Sequence, residues 1–281
     1  MRRRLDAELV RRGLARSRAD AVEAVQQGRV TVGGAPADNP ARQVSDADPI
    51  ERAGEPSPYV SRGGLKLAAA LDAFAVEVSG GTWLDAGAST GGFTDCLLQR
   101  GAACVHAVDV GHGQLAWSLQ RDPRVVVHDR TNVRNLEPDD IGGPVDGCVA
   151  DLSFISLRTV APALVRCTRQ DGDFVLLVKP QFEAGRSRVG KGGVIRDRTV
   201  HAAVLLEVAG ALAEQGLVTV AAVASPIHGA DGNREFLFHA RGTGPQLAVA
   251  ALEALAAGDT TGDIAGNVTQ PGGPSGENAS S

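Results

Sequence analysis

The chain has 281 residues, of which 43% are apolar and 22% are charged, and its formal net charge is −5. These values are ordinary for a globular protein whose core could serve one large domain or two smaller ones. Aromatic residues make up only 4%, which argues against a broad base-stacking platform for nucleic acid. No apolar run reaches the roughly 18–20 residues that cross a bilayer, and the basic start lacks the apolar stretch of a signal peptide. We therefore expect a cytoplasmic protein that does not span a membrane.

The first 29 residues differ in charge from the rest of the chain. They contain eight arginines against four acidic residues, although the whole chain is acidic. A local basic face matters more for binding phosphates than the global charge does. The pattern leaves two interpretations open: a surface that binds nucleic acid, or a solvated arginine-rich helix face.

The beginning of the chain predicts a small α/β unit. Residues 4–13 and 17–28 read as two short helices, each ending at a glycine, and Ser17 is a suitable N-cap for the second helix. The segment RVTVGGAPA then predicts a short strand and a turn. A stretch rich in Pro, Asp and Glu follows and reads as a connection, so we place a domain at 1–54 and a linker at 55–62.

From residue 63 to residue 257, strands and helices alternate. After a first helix, LKLAAALDAF, the predicted strands are 82–86, 103–109, 125–129, 145–151, 173–179, 217–224 and 234–240. The predicted helices between them are 91–100, 114–121, 156–168 and 197–215. Apolar strands that alternate with helices predict an α/β fold: a mostly parallel seven-stranded sheet covered on both faces, with an antiparallel pair at one edge. The tail, 258–281, is polar and rich in glycine and is predicted to be disordered.

The four cysteines show no spacing typical of a metal site. Cys96, Cys104, Cys148 and Cys167 lie in apolar or helical contexts, without a CxxC pair. We expect buried free thiols and no metal, with a zinc site or a disulfide as the alternative.

A glycine-rich loop follows the first strand of the larger domain. The strand ends at Asp85, and GASTGGF leads into a helix. Glycines there allow a tight turn and leave backbone amides accessible to a ligand. The loop departs from the dinucleotide pattern G-x-G-x-x-G and fits the looser loop of S-adenosylmethionine (SAM) enzymes; a plain strand-to-helix turn is the alternative. The candidate cofactor-binding residues in this segment are Asp85, Gly87, Ala88, Ser89, Thr90, Gly91, Gly92 and Phe93.

Two further acidic residues end the next two strands. Asp109 lies about twenty residues after the glycine-rich loop, where a carboxylate can accept hydrogen bonds from ribose hydroxyls. Asp129 ends the third strand and is a candidate for the adenine edge. For each residue the alternative is an aspartate that only caps a loop.

Four charged residues stand where strands of such a sheet end or where a helix packs beside them. They are Lys66, Asp151, Lys179 and Glu235. Ligands of open α/β sheets bind at the carboxyl ends of the strands, and an alternating set of lysines and carboxylates could hold and deprotonate a poorly acidic hydroxyl. Together with the glycine-rich loop, the set indicates methyl transfer to a ribose oxygen. Each residue taken singly is more often a surface charge.

Several segments in order resemble the TlyA family of bacterial ribosomal RNA 2′-O-methyltransferases, also known as haemolysins. Residues from RLDAELVRRG to RVTVGG resemble an S4 RNA-binding domain, and SRGGLKL, LDAGASTGGFT, ADLSFISL, LVKPQFE and GNREFLF resemble an FtsJ-type Rossmann methyltransferase domain. The similarity runs from about residue 3 to residue 240, and the tail, 258–281, falls outside it.

The resemblance implies a function and a set of site residues. It implies a Lys-Asp-Lys-Glu catalytic tetrad, formed here by Lys66, Asp151, Lys179 and Glu235, and it implies SAM as the cofactor. The implied targets are cytidine 2′-hydroxyls of 16S and 23S rRNA in the 30S and 50S subunits. Lys179 would then serve either as the base or as a charged group that stabilises the oxygen. The S4-like helices would contact phosphates, with Arg4, Arg18 and Arg29 as candidates.

Two functions from other classes compete with this reading. A membrane-acting haemolysin is the first, but no segment combines a basic face with an aromatic one. A SAM-binding RNA module without catalysis is the second, and the complete tetrad argues against it.

Overall fold

The computed structural model describes residues 2–54, 57–190, 192–229 and 232–258. The tail predicted to be disordered, 258–281, is described only at Gly258, which caps the last helix with a φ of 85°. The rest of the tail lies outside the described residues. The described part of the predicted linker is packed against the larger unit. Tyr59 and Val60 are buried, and the Val60 amide donates to Asp95 Oδ2 at 2.8 Å. The domain boundaries at 54 and 62 stay predictions.

Residues 2–54 form a small α/β unit with its own core. Its elements are β1 (Arg2–Arg4), α1 (Leu5–Arg11), α2 (Arg18–Gln26), β2 (Val30–Val32), β3 (Ala35–Pro36), β4 (Gln43–Ser45) and β5 (Ile50–Arg52). Strands β1 and β4 pair, and β3, β2 and β5 form a second small sheet. The two helices were each predicted three residues too long, because the residue before each helix is extended and Gly13 and Gly28 take positive φ angles.

Three features stabilise this unit. Leu5, Leu9 and Val25 are fully buried in an apolar cluster between helices and strands. Ser17 N-caps α2, as predicted, by accepting the Asp20 amide at 3.1 Å. The Arg52 guanidinium pairs with Asp20 at 2.7 Å, and only 2% of either side chain is exposed.

The remaining chain alternates strands and helices around one sheet. Its strands are β6 (Thr82–Ala86), β7 (Cys104–Val108), β8 (Val125–His128), β9 (Val145–Ala150), β10 (Thr168–Val178), β11 (Val218–Ala224) and β12 (Phe236–Arg241). The helices are α3 (Gly63–Phe74), α4 (Gly92–Gln99), α5 (Trp117–Gln120), α6 (Leu157–Cys167), α7 (Pro180–Glu183), α8 (Arg198–Glu214) and α9 (Val249–Ala257). Short 3₁₀ helices lie at Val133–Asn135, Pro138–Ile141 and Arg186–Arg188.

The sheet has the predicted seven strands and mostly parallel pairing. Their order is β11-β12-β10-β9-β6-β7-β8. Strand β12 pairs antiparallel with both β10 and β11, and the other pairs are parallel. The predicted α/β fold class, including the antiparallel edge, is therefore confirmed.

Apolar clusters cover the two faces of the sheet. One cluster joins the strands to α6, α8 and α9 and includes Phe236. The other joins them to α3 and α4 and includes Trp83, which is 2% exposed. Strands buried on both faces explain the nearly continuous apolar runs in the sequence. The cysteines are free thiols, of which Cys104 alone is only partly buried.

Three details differ from the sequence-based expectation. Helix α5 begins at Trp117 rather than at residue 114, and Trp117 is 69% exposed, with the Arg121 guanidinium over its ring. Strand β10 begins directly after α6, five residues before the predicted start. Helix α9 was not predicted, although its alanines and leucines followed by Gly258 are typical of a helix and its C-cap.

Candidate active site

The four tetrad residues come from four separate elements. Lys66 lies in α3, Asp151 directly follows β9, Lys179 directly follows β10, and Glu235 directly precedes β12. Since β12 runs antiparallel to its neighbours, its start lies at the carboxyl edge of the parallel strands. The topology therefore brings together four residues that are far apart in the sequence.

The tetrad forms two ion pairs. Lys66 Nζ lies 2.5 Å from Glu235 Oε2, and Lys179 Nζ lies 2.5 Å from Asp151 Oδ1. Lys66 and Glu235 are only 5% and 3% exposed, whereas Asp151 is half-buried. Buried charges persist where each has a partner, so both lysines are fixed in place. Lys179 Nζ also donates to Ser153 Oγ at 3.0 Å.

Both lysines face one small cavity. It has a volume of about 210 Å³, and its walls include Lys66, Asp151 and Lys179. Its other lining residues from the glycine-rich loop are Gly87, Ala88, Ser89, Thr90, Gly92 and Phe93. Three residues of the tetrad and most of the predicted cofactor loop therefore enclose the same space, whereas Glu235 lies behind Lys66 and does not line it.

The glycine-rich loop approaches the neighbouring strand closely. Gly87 has a φ of 88°, and a Cβ atom on it would lie 2.6 Å from the Asp151 carbonyl oxygen. A side chain at this position would both strain the backbone and clash with the segment that carries Asp151. Gly91 has a φ of 94° at the N-cap of α4, and it does not line the cavity.

A second cavity, of about 410 Å³, adjoins the first through Gly87, Ser89 and Asp151, which line both. Its walls are mostly apolar, with Val110, Val133, Leu152, Phe154 and Ile155 among them, and Asp109 also lines it. Phe154 is 91% exposed and has a φ of 65°.

This second cavity fits a nucleoside. The Asp109 carboxylate accepts the Ser89 amide at 2.8 Å and the Gly111 amide at 2.7 Å, which fixes it beside the glycine-rich loop. A carboxylate held this way can accept ribose hydroxyls, and the apolar walls suit a purine. The residues therefore fit the adenosine part of SAM, with the tetrad cavity next to it.

The structure places three of the candidate cofactor residues, Asp85, Gly91 and Asp129, outside both cavities. Asp85 is fully buried, and Thr94 Oγ1 donates to its Oδ2 at 2.6 Å, so it ties β6 to α4. Burial raises the pKa of Asp85 to about 7. Asp129 Oδ2 lies 2.8 Å from His112 Nδ1 and accepts the Gly113 amide at 2.9 Å.

A groove connects the tetrad cavity with the small N-terminal unit. It has a volume of about 630 Å³ and is lined by residues of α2 together with Ser61, Arg62 and Thr90, which also line the tetrad cavity. Arg18 lines the groove as well. A long substrate could therefore contact the small unit while one of its groups lies at the tetrad.

The candidate RNA-binding arginines differ in their surroundings. Arg4 and Arg18 both pair with Asp6, at 2.8 and 3.0 Å, and their side chains stay 46% and 60% exposed. The same two arginines lower the pKa of Asp6 against the opposing effect of its burial. Arg29 is half-buried, and its Nε has no hydrogen-bond partner among the described residues.

Sequence reasoning missed several polar residues of the site. Ser153 contacts Lys179, and Glu183 accepts the Leu157 amide at 2.7 Å and the Ser156 hydroxyl. Glu183 thereby connects the loop after β9 to the loop after β10. Its position four residues after Lys179, in KPQFE, was a usable signal. Within the described ranges, no group of three or more His, Cys, Asp or Glu residues is arranged to hold a metal ion.

Comparisons with known proteins place the chain in a family. Residues 59–242 match the model of the FtsJ-like methyltransferases, and residues 3–50 match the S4 domain. The chain is 56% identical, over 85% of its length and 90% of the relative, to the 16S/23S rRNA (cytidine-2′-O)-methyltransferase TlyA of Mycobacterium tuberculosis.

Two more distant relatives agree. The 23S rRNA (cytidine-2′-O)-methyltransferase TlyA of Campylobacter jejuni is 32% identical over 64% of this chain and 70% of the relative. A solved structure named as a hemolysin, from Streptococcus thermophilus, is 38% identical with a TM-score of 0.74 and covers 92% of this chain and 95% of that chain. The chain therefore belongs to the TlyA family of FtsJ-like methyltransferases, and it carries an S4 domain ahead of the methyltransferase domain.

Proposed function

We propose that this protein transfers a methyl group from SAM to cytidine 2′-oxygens of 16S and 23S rRNA, within the 30S and 50S subunits. The observation that carries the proposal is the pair of lysine–carboxylate ion pairs at one cavity, next to a cavity that fits a nucleoside. A ribose hydroxyl in the first cavity and a methyl donor in the second would lie side by side. Such placement alone contributes much of the rate of a two-reactant transfer.

The cofactor proposal rests on the lining residues of the larger cavity. When bound, SAM supplies a methyl group on a positively charged sulfur. Asp109 would accept the ribose hydroxyls, the Ser89 region of the loop would lie along the cofactor, and Val110 and Phe154 would line the adenine.

Lys179 is the residue that would meet the attacking hydroxyl. An ammonium has three N–H donors; Ser153 Oγ accepts one of them, and the Asp151 carboxylate pairs with the charge. A remaining N–H would contact the 2′-oxygen and stabilise negative charge as it develops. A neutral Lys179 would instead accept the hydroxyl proton. The Lys66–Glu235 pair, which is more deeply buried, would hold a second positive charge at the same cavity.

The RNA proposal rests on the groove and on the relatives. Exposed Arg4 and Arg18 flank Asp6 at the groove, where they could contact phosphates and so position the RNA; Arg29 is a further candidate. The target cytidine would be flipped out of its surroundings to reach the tetrad. Methylation of both subunits is proposed because the relative named for 16S and 23S rRNA is 56% identical, against 32% for the one named for 23S rRNA. Ribosomal subunits as substrates imply a cytoplasmic protein.

A membrane function receives no support from the helices. Among those in the described part of the chain, none is long and apolar enough to span a membrane. We expect purified protein to cause no leakage from liposomes.

The test is methyl transfer from labelled SAM to isolated 30S and 50S subunits, with wild type and Lys179→Ala in parallel. We expect label at cytidine 2′-oxygens of both subunits and a loss of about 100-fold or more in the variant. SAM binding to both proteins, measured by calorimetry, controls for folding. Label on one subunit only would limit the substrate to that subunit, and SAM binding with no label on either would refute the rRNA assignment.

A further inference from the structure

A separate basic pocket lies where the start of α8, the end of α9 and the segment before β12 meet. It has a volume of about 510 Å³, and its charged and titratable lining residues are Arg196, Arg198, His201 and Arg234. No carboxylate among the described residues lines it. Helix α8 and strand β12 both begin here, so the pocket lies at the same edge of the sheet as the tetrad. None of its lining residues belongs to the cavities described above.

Two guanidinium groups of this pocket converge without an acid between them in the described chain. A Cβ atom built on Gly258 would lie 3.4 Å from Arg234 Nη1 and 3.9 Å from Arg198 Cζ. Arg234 donates to the Ala256 and Leu255 carbonyls at 2.8 and 3.0 Å, which holds it at the end of α9. Burial, and then the nearby charge of Arg198, lower the pKa of Arg234. Like charges this close repel each other and favour a bound anion.

His201 adds a buried imidazole to the pocket. It is 3% exposed, and neither ring nitrogen makes a well-aligned hydrogen bond to a described residue. Burial lowers the pKa of His201, whereas the neighbouring Ile195 backbone and Asp197 carboxylate act in the opposite direction. A buried imidazole N–H without a well-placed acceptor is unfavourable, and a ligand atom would satisfy it. His201 lies in the first turn of the 17-residue helix α8, where the helix dipole also favours negative charge.

We propose that Arg196, Arg198, His201 and Arg234 bind a phosphate group at the N-terminus of α8. Planar guanidinium groups suit phosphate oxygens, and a buried imidazole can donate one further hydrogen bond. The phosphate could belong to an RNA backbone or to a small phosphorylated compound. The site itself does not depend on the methyl transfer proposed above; only the RNA source does.

One buried residue connects this pocket to the tetrad. Asn233 is 1% exposed; its Oδ1 accepts the Ile195 amide at 3.0 Å, and its Nδ2 donates to the Gly193 carbonyl at 2.9 Å. It therefore fixes the loop before α8 to the segment that carries Arg234 and Glu235. A phosphate held in the pocket would lie beside the start of β12. Arg234, which would bind it, directly precedes the tetrad residue Glu235 in the sequence.

The test uses the full chain with Arg196→Gln and Arg198→Gln combined. Both side chains are exposed, so the fold should be retained. Pyrophosphate binding is measured by calorimetry without SAM, and binding to ribosomal subunits is measured over a range of salt concentrations. We expect pyrophosphate affinity to fall about tenfold or more. If the phosphate belongs to RNA, the slope of log K against log salt should also fall by about 1–2.

The control is Arg169→Gln, because Arg169 pairs with Asp146 at the opposite edge of the sheet, and it should change neither measurement. Loss of pyrophosphate binding with unchanged subunit binding would support a small phosphorylated ligand. Unchanged binding of both would overturn the proposal. Asp231 and Asp259 adjoin the pocket in sequence, so a D231N/D259N variant is included. Pyrophosphate binding by that variant but not by wild type would also overturn it, since the chain's own carboxylates would then occupy the site.

Discussion

The buried pair of Lys66 and Glu235 makes a quantitative prediction about stability. The two charges are 2.5 Å apart, and the residues are 5% and 3% exposed. Removing one partner leaves an uncompensated buried charge, which typically costs about 3–5 kcal/mol, whereas replacing both by apolar groups of similar size is often neutral. We therefore expect Lys66→Met and Glu235→Leu each to lower the free energy of unfolding by about 3–5 kcal/mol. The double variant should recover most of that loss.

The assay is urea unfolding followed by tryptophan fluorescence. Trp83 is buried in the sheet and reports on this core, whereas Trp117 is 69% exposed, so the background carries Trp117→Phe. With a denaturant slope of about 2–3 kcal/mol/M, a loss of about 4 kcal/mol moves the midpoint by roughly 1–2 M. Because the double variant should lose less than either single variant, the coupling energy from the double-mutant cycle should be about 4 kcal/mol or more.

The result that refutes this reasoning is additivity. If the double variant loses as much stability as the two single variants together, the charges do not depend on each other. Methyl transfer provides an independent readout, because all three variants should lose it even where the double variant is as stable as wild type.

The remaining predictions concern one buried acid, one connecting glutamate and one ion pair. Burial raises the pKa of Asp85 to about 7, above about 3.9 in the unfolded chain. The folded protein therefore holds the Asp85 proton more tightly than the unfolded chain does. The stability that this proton contributes is fully present below the unfolded pKa and is lost as pH rises through 7, by about 4 kcal/mol at most. The Asp85→Asn variant should lack this slope between pH 5 and 8 in denaturant titrations, and a slope equal to that of wild type would contradict the assignment. Glu183→Gln should lower stability by about 1–2 kcal/mol and reduce kcat while SAM affinity is retained. Glu207→Gln, on a partly exposed pair with Arg188, should change stability by less than about 1 kcal/mol. Arg52→Met should destabilise the small N-terminal unit by about 3–5 kcal/mol, seen as faster amide exchange in α2 but not in β9; equal acceleration in both would show that the two units unfold together.

The sheet could be predicted because its strands are buried on both faces and carry a strong apolar signal. Lys179 and Asp151 follow such strands directly, so chain order alone placed them at one edge. Glu235 required the further inference that the last strand runs antiparallel. The regular alternation of strands and helices therefore predicted the fold and, with it, the edge of the sheet where the tetrad lies.

Contacts between residues far apart in the sequence could not be predicted in this way. Asp85 is the last residue but one of β6 and Asp109 directly follows β7, but Asp85 accepts the Thr94 hydroxyl whereas Asp109 accepts the Ser89 amide. A strand end does not specify which face a residue takes when the loop after it is irregular. The pairing of Arg18 with Asp6, across 12 positions, likewise depends on how two helices pack.

The separation of Lys66 and Glu235 by 169 positions has a consequence for protein synthesis. The chain emerging from the ribosome holds Lys66, Asp151 and Lys179 well before Glu235 has been made. Until β12 inserts between its neighbours, the Lys66 ammonium lacks its carboxylate, and burying it would be unfavourable. The last central strand to be synthesised therefore also completes the site, so that chains terminated early should neither close this core nor carry out the chemistry.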